Sequence, residues 1–147
     1  MAQTVKVDLA QDQDFRFAIR FSESEAPFYG DEPPPLGKGK GPSPSQLLAA
    51  AVGNCLSDSL LFAMRKFKQT AEPIQTEATA IVGRNPENRL RVLNIAVKLT
   101  LGAPRARFEH LERVLGQFED FCTVSQSVRQ GIPVAIEVYD STGERLK

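Results

Sequence analysis

Residues 41–69, GPSPSQLLAAAVGNCLSDSLLFAMRKFKQ, decide how the rest of the chain folds. The stretch reads as one long helix. Pro42 and Pro44 suit a first turn, where a missing N–H costs nothing, and Ser43 or Ser45 serves as the N-cap. No proline follows until Pro73. From Leu47 to Met64 apolar and small residues fall on nearly every side, which is the pattern of a buried helix. Ala49, Ala50, Ala51 and Gly53 let another backbone come close. Cys55 stands in the middle. At about 100° per residue it shares a face with Leu48, Ala51, Val52, Ser59 and Phe62. One thiol is thus held on a rigid helix among few polar neighbours.

Upstream, Val5, Val7 and Leu9 alternate over a first strand at 5–10, followed by a polar turn at 11–14. Residues 15–21 alternate cleanly. Phe15, Phe17, Ile19 and Phe21 point one way, and Arg16, Ala18 and Arg20 the other, as in a half-buried antiparallel strand. A short edge strand is expected at 26–29. The proline- and glycine-rich run 31–42, DEPPPLGKGKGP, reads as a loop that leads into the helix, and residues 31–41 of it are expected to be mobile and to gate the pocket. Downstream, 74–83 and 90–101 form a hairpin across the turn 84–88, with an irregularity near Leu93 and Asn94. Pro104 opens a second helix at 105–121, with Phe108, Leu111, Val114, Leu115 and Phe118 on its apolar face. A third, short helix starts near Cys122 and stops at Gly131, and a final strand covers 133–139. There is no βαβ alternation, repeat or domain boundary. The expectation is a single α+β domain over 1–147, with a mainly antiparallel sheet packed on the long helix.

The composition narrows the function. The chain has 147 residues, 41% of them hydrophobic, and 18 basic residues balance 18 acidic ones. Zero net charge argues against nucleic acid or an anionic membrane as a partner. No apolar run approaches the roughly 20 residues of a membrane span. The start, MAQTVKVDLAQDQD, lacks the basic and apolar segments of a signal peptide, so a cytoplasmic location is expected. The two cysteines form no CxxC, and one histidine, His110, is too few for the usual Cys/His zinc site. His110 lies between Glu109 and Glu112 on an amphipathic stretch and reads as a surface residue. Lys38 to Gly41 lacks the P-loop pattern and reads as loop punctuation.

Two motifs carry a resemblance. GPSPSQLLAAAVGNCL resembles the central-helix signature of the OsmC/Ohr family, and FCTVSQSV resembles that family's second cysteine motif. Element order and length are also similar, so the resemblance covers essentially the whole chain. It implies a two-layer, intertwined homodimer whose long helices are enclosed by sheets from both chains. It implies that Cys55 and Cys122 meet in a pocket at the dimer interface and reduce organic hydroperoxides in oxidative-stress defence. Cys55 would be the attacking thiol and Cys122 the resolving one. A dithiol or thioredoxin-like reductant would reset the pair, with no cofactor. A thiolate, not a thiol, attacks the O–O bond, so Cys55 needs a cationic or hydrogen-bonding neighbour. The family's active branch has an arginine near the first turn and a glutamate after the helix-start proline. Here the turn has no arginine and Ser45 follows Pro44, which leaves Arg16 and Arg20 on the adjoining strand as candidates. Asp58, one turn beyond Cys55, opposes a thiolate. Cys122, at a helix start, is favoured as one, and Ser125 is placed to close a local hydrogen bond. A second reading remains open: a weak or inactive member that binds a small apolar ligand in the same cleft.

Overall fold

The computed structural model describes residues 2–147. Its organising element is α1 (Pro44–Lys66). Of the two candidate caps the structure uses Ser43. Its hydroxyl accepts from Gln46 N–H at 3.3 Å, and Gln46 Oε1 accepts from Ser43 N–H at 2.9 Å. This capping box, with Pro44 at the first helical position, sets where the helix starts. Arg65 and Lys66 complement the dipole at its end. Arg65 also reaches past the terminus to Glu72, at 2.9 and 2.7 Å.

Two small antiparallel sheets replace the single sheet that was expected. The first joins β1 (Asp8–Gln13), β2 (Arg16–Arg20) and β3 (Phe28–Gly30). The second is the hairpin of β4 (Gln75–Arg84) and β5 (Leu90–Thr100). The irregularity expected near Leu93 is a bulge: Ile81 pairs with Asn94 and Val82 with Val92, so Leu93 has no partner. Asn85 Oδ1 closes the hairpin turn by accepting from the N–H groups of Glu87 and Arg89, at 3.1 and 2.9 Å. α1 lies across β4. A Cβ on Gly53 would stand 3.1 Å from the Ala78 Cβ, so glycine there sets how closely helix and sheet approach.

The second helix is broken. A 3₁₀ turn (Arg105–Arg107) precedes α2 (Leu111–Gln117), and another (Phe118–Phe121) follows it. His110 takes a left-handed φ of 57°, which bars a continuous helix through it. The adjacent Glu109 N–H is drawn instead to Gln69 Oε1, at 2.8 Å, at the far end of α1. α3 (Thr123–Gln130) ends at Gly131 as expected. The strand expected at 133–139 forms no ladder with either sheet. That segment is exposed and turns back only on the chain end, through a bridge between Tyr139 and Arg145.

The loop at 31–42, expected to be mobile, carries hydrogen bonds of its own. The buried Asp31 carboxylate accepts from Glu32 and Lys40 N–H at 2.8 and 3.0 Å, and Gly39 N–H donates to the Glu32 carbonyl at 3.0 Å. A Cβ on Gly41 would run into the Tyr29 carbonyl, so the tight path requires glycine.

The core has two parts that share Phe118 and Leu99. One gathers Leu60, Ala63, Met64, Ala71 and Val114. The other gathers Val52, Leu56 and Cys122, with Cys55 packed against it. α1 is not covered on every side: Ala50, Ala51, Asn54, Asp58 and Phe62 remain exposed. At 23 residues it has the length and composition of a membrane span, contrary to expectation, but the same helix carries the core of this fold.

Candidate active site

Two chain segments bring the cysteines together. α1 presents Cys55 half-buried, and the first turn of α3 places Cys122 beneath it at 0% exposure. Cys122 caps α3 with an extended backbone, as the break after Phe121 requires. The Val124 N–H, in the open first turn of α3, donates to Cys55 Sγ at 3.5 Å. A helix start from one segment thus supplies a donor to the thiol of another.

The two thiols are driven apart in acidity. Burial pushes Cys55 up, with its neighbours Cys122 and Asp58 adding to the rise and the Val124 N–H opposing it. Burial also opposes ionisation of Cys122. There, however, the Ser125 hydroxyl, the Cys55 thiol, the Ser125 N–H and the Ser59 hydroxyl together outweigh it and bring the thiol below its ordinary value. Ser125 is 4% exposed and its hydroxyl makes no hydrogen bond, to sulfur or to any other atom, while it lies near enough to favour the Cys122 thiolate. The first proton to leave the pair therefore comes from the Cys122 side, and Asp58 acts against Cys55 as its position implied.

Beside the pair lies a cavity of about 600 Å³. Leu48, Val52 and Leu56 of α1, Ile95 and Val97 of β5, and Phe118 form its apolar wall. Ser125 joins the cavity to Cys122. Its charged rim is Arg129, paired with Glu119 at 3.2 Å. Neither residue was singled out in the sequence. Arg129 lies seven positions after Cys122, two helical turns along one face, which was the available signal.

Arg16 and Arg20 are elsewhere within the chain. Arg16 pairs with Asp12 and lies 5.5 Å from the centre of the Tyr29 ring, and Arg20 reaches the Glu25 carbonyl at 3.4 Å. Neither lines the cavity. Among the described residues no three His, Cys, Asp or Glu side chains converge as a metal site would need.

An α+β chain with a rigid helix across a hairpin, and two free thiols meeting at the start of a later helix, defines a small dithiol protein. A family model described as OsmC-like protein matches residues 37–137, and the chain belongs to that family. Solved structures share its fold. An osmotic stress induced and detoxification response protein from Psychrobacter arcticus is 19% identical with a TM-score of 0.69, and the match covers 86% of this chain and 90% of that one. The organic hydroperoxide resistance protein OsmC from Legionella pneumophila is 16% identical with a TM-score of 0.63, over 88% and 91%. The organic hydroperoxide resistance protein OhrB of Bacillus subtilis is 18% identical with a TM-score of 0.62, over 90% and 95%. No curated protein matches the sequence.

Proposed function

We propose that this protein is a thiol-dependent peroxidase that reduces organic hydroperoxides through Cys55 and Cys122, in defence against oxidative stress. The observation that carries the reading is the convergence of two free thiols at one point, packed against Val52 and Leu56, which also wall the apolar cavity. The names of the Legionella and Bacillus relatives point the same way.

Cys122, once ionised, takes the Cys55 proton. The Cys55 thiolate then attacks the nearer oxygen of the hydroperoxide and the O–O bond breaks. The departing alkoxide takes the proton back from Cys122 and leaves as the alcohol. Cys55 is left as a sulfenic acid. The Cys122 thiolate attacks its sulfur, the S–O bond breaks, and hydroxide leaves to become water. The Val124 N–H favours the Cys55 thiolate while it exists. A small dithiol or thioredoxin-like reductant then opens the disulfide.

The working unit in this reading is a homodimer, as the family resemblance implies. Phe62 on α1 is 67% exposed and Val134 in the unpaired C-terminal segment 80%, more apolar surface than a monomer ordinarily leaves open. Arg16 and Arg20 sit on a sheet that a partner would bring into play, and reaching the thiols of a second copy is the role left to them.

The test is a stoichiometric organic hydroperoxide followed by intact mass under denaturing conditions. The wild type loses two hydrogens, Cys122→Ser leaves a trappable sulfenic acid on Cys55, and Cys55→Ser leaves Cys122 unoxidised. No mass loss and no sulfenic adduct with any of several hydroperoxides would overturn the reading. The second reading, a protein that holds a small apolar ligand, would then stand, because the cavity falls within the roughly 300–1,000 Å³ usual for such sites.

A further inference from the structure

Ser125 is a polar side chain with no structural employment. Its hydroxyl is buried and makes no hydrogen bond, an unfavourable arrangement that an ionised neighbour would relieve by accepting from it. It stands three residues after Cys122, on the first turn of α3, near enough to favour the Cys122 thiolate. Cys122 is wholly enclosed, whereas Cys55 is partly open. Within the single chain Cys55 is therefore the accessible member of the pair and Cys122 the enclosed one. Cys55 in turn has one N–H donor, from Val124 at 3.5 Å, and faces the Asp58 carboxylate. The two halves of a disulfide formed here are unlike in access and in how well each holds a negative charge.

We propose that Ser125 is a positioning residue for the recycling step, holding Cys122 as the leaving sulfur so that the reductant attacks Cys55 alone. The inference rests on the redox pair proposed above and adds the direction in which it is reset. In the first half-step the reductant's thiolate attacks Cys55 Sγ. The S–S bond breaks, its electron pair stays on Cys122, and a mixed disulfide remains on Cys55. Cys122 leaves as a thiolate that accepts from the Ser125 hydroxyl and needs no proton. In the second half-step a second thiolate, or the other end of a dithiol, attacks the reductant's sulfur in that mixed disulfide. The reductant departs as its own disulfide and Cys55 takes a proton from solvent. Two external thiols are oxidised and one protein disulfide is reduced. Thiol exchange favours this direction, because the more stable thiolate is the better leaving group.

The experiment makes the disulfide with diamide, so that hydroperoxide reactivity is not required. Oxidised protein is exposed briefly to a monothiol, glutathione, and quenched with iodoacetamide, and its peptides are mapped. The expected result is glutathione on Cys55 and the alkyl label on Cys122. The reverse placement, or an equal mixture, overturns the proposal while leaving the redox pair intact. Failure of diamide to form an intrachain disulfide in folded protein overturns the redox pair and this inference together. A second arm measures the rate of disulfide reduction by dithiothreitol. Ser125→Ala should slow it about tenfold, the size of one hydrogen bond to a charged group, and Ser125→Thr, which keeps the hydroxyl, should recover most of the loss. Equal rates for all three sink the role of the hydroxyl. If Ser125→Ala does not fold, the wild-type peptide map still decides the direction of attack.

Discussion

At the residue scale the chemistry rests on an asymmetry between two thiols. Folding favours the ionised form of Cys122, so its contribution to stability is present above the ordinary thiol value of 9.0 and lost as pH falls through its lower folded value. Folding favours the neutral form of Cys55, so its contribution is present below that value and lost as pH rises through its higher folded one. Ultraviolet thiolate absorbance of the reduced protein should therefore rise in two separated steps that flank 9.0. The steps belong to the pair, and Cys122→Ser should remove the lower one. A single step near the ordinary value would deny the asymmetry. Asp31 poses a second residue-scale test. The backbone N–H of Lys40, opposed by burial and aided by the N–H of Glu32, holds its carboxyl below the usual value. Its contribution is thus present above the unfolded value and lost as pH falls through the folded one. Asp31→Asn should lower the denaturant midpoint at neutral pH and make it less sensitive to acid than the wild type. Equal acid sensitivity of the two proteins would remove Asp31 from the account.

At the element scale α1 governs. Its start is set by the Ser43–Gln46 capping box, and Ser43→Ala should cost about 1 kcal/mol in denaturant unfolding. A loss under a few tenths would mean that packing alone holds the first turn. The loop before α1 shows how composition misleads. Prolines and glycines read as mobility, yet Gly37 and Gly41 sit where a Cβ would strike backbone, and a buried carboxylate ties the two ends. The broken second helix errs in the opposite sense. Its apolar spacing is helical from Phe108 to Phe118, and Val114, Leu111 and Phe118 do reach the core. What interrupts it is the left-handed turn at His110, beside which the Glu109 N–H bonds the Gln69 side chain just beyond the end of the central helix.

At the scale of the whole molecule the single chain is apolar where it should be covered. Val134 and Ile136 are 80% and 62% exposed in a segment that alternates like a strand but has no ladder. Phe62 leaves an apolar face open on the most apolar helix. A second copy is the cover argued for above. Sedimentation at micromolar concentration should show a dimer, and Phe62→Glu or Val134→Asp should shift it toward monomer with loss of hydroperoxide reduction. A stable, folded wild-type monomer would count against the dimer.

Much of the fold was legible along the chain because it is local. The long helix, the half-buried β2, the hairpin with its bulge at Leu93 and the stop at Gly131 follow from periodicity, caps and turn residues, which act over a few positions. The two cysteines were legible only as motifs. Nothing in their spacing brings Cys122 beneath Cys55; that depends on how α3 and the turn before it pack against α1. The same packing places Glu119 and Arg129 at the rim of the cavity and keeps Arg16 and Arg20 with local partners in this chain. Burial decided which thiol is open, and the donors that the buried site gathers around Cys122 outweigh burial there and decide which is the more acidic. Burial is a property of surfaces that meet from distant parts of the chain, so only the tertiary structure could assign it.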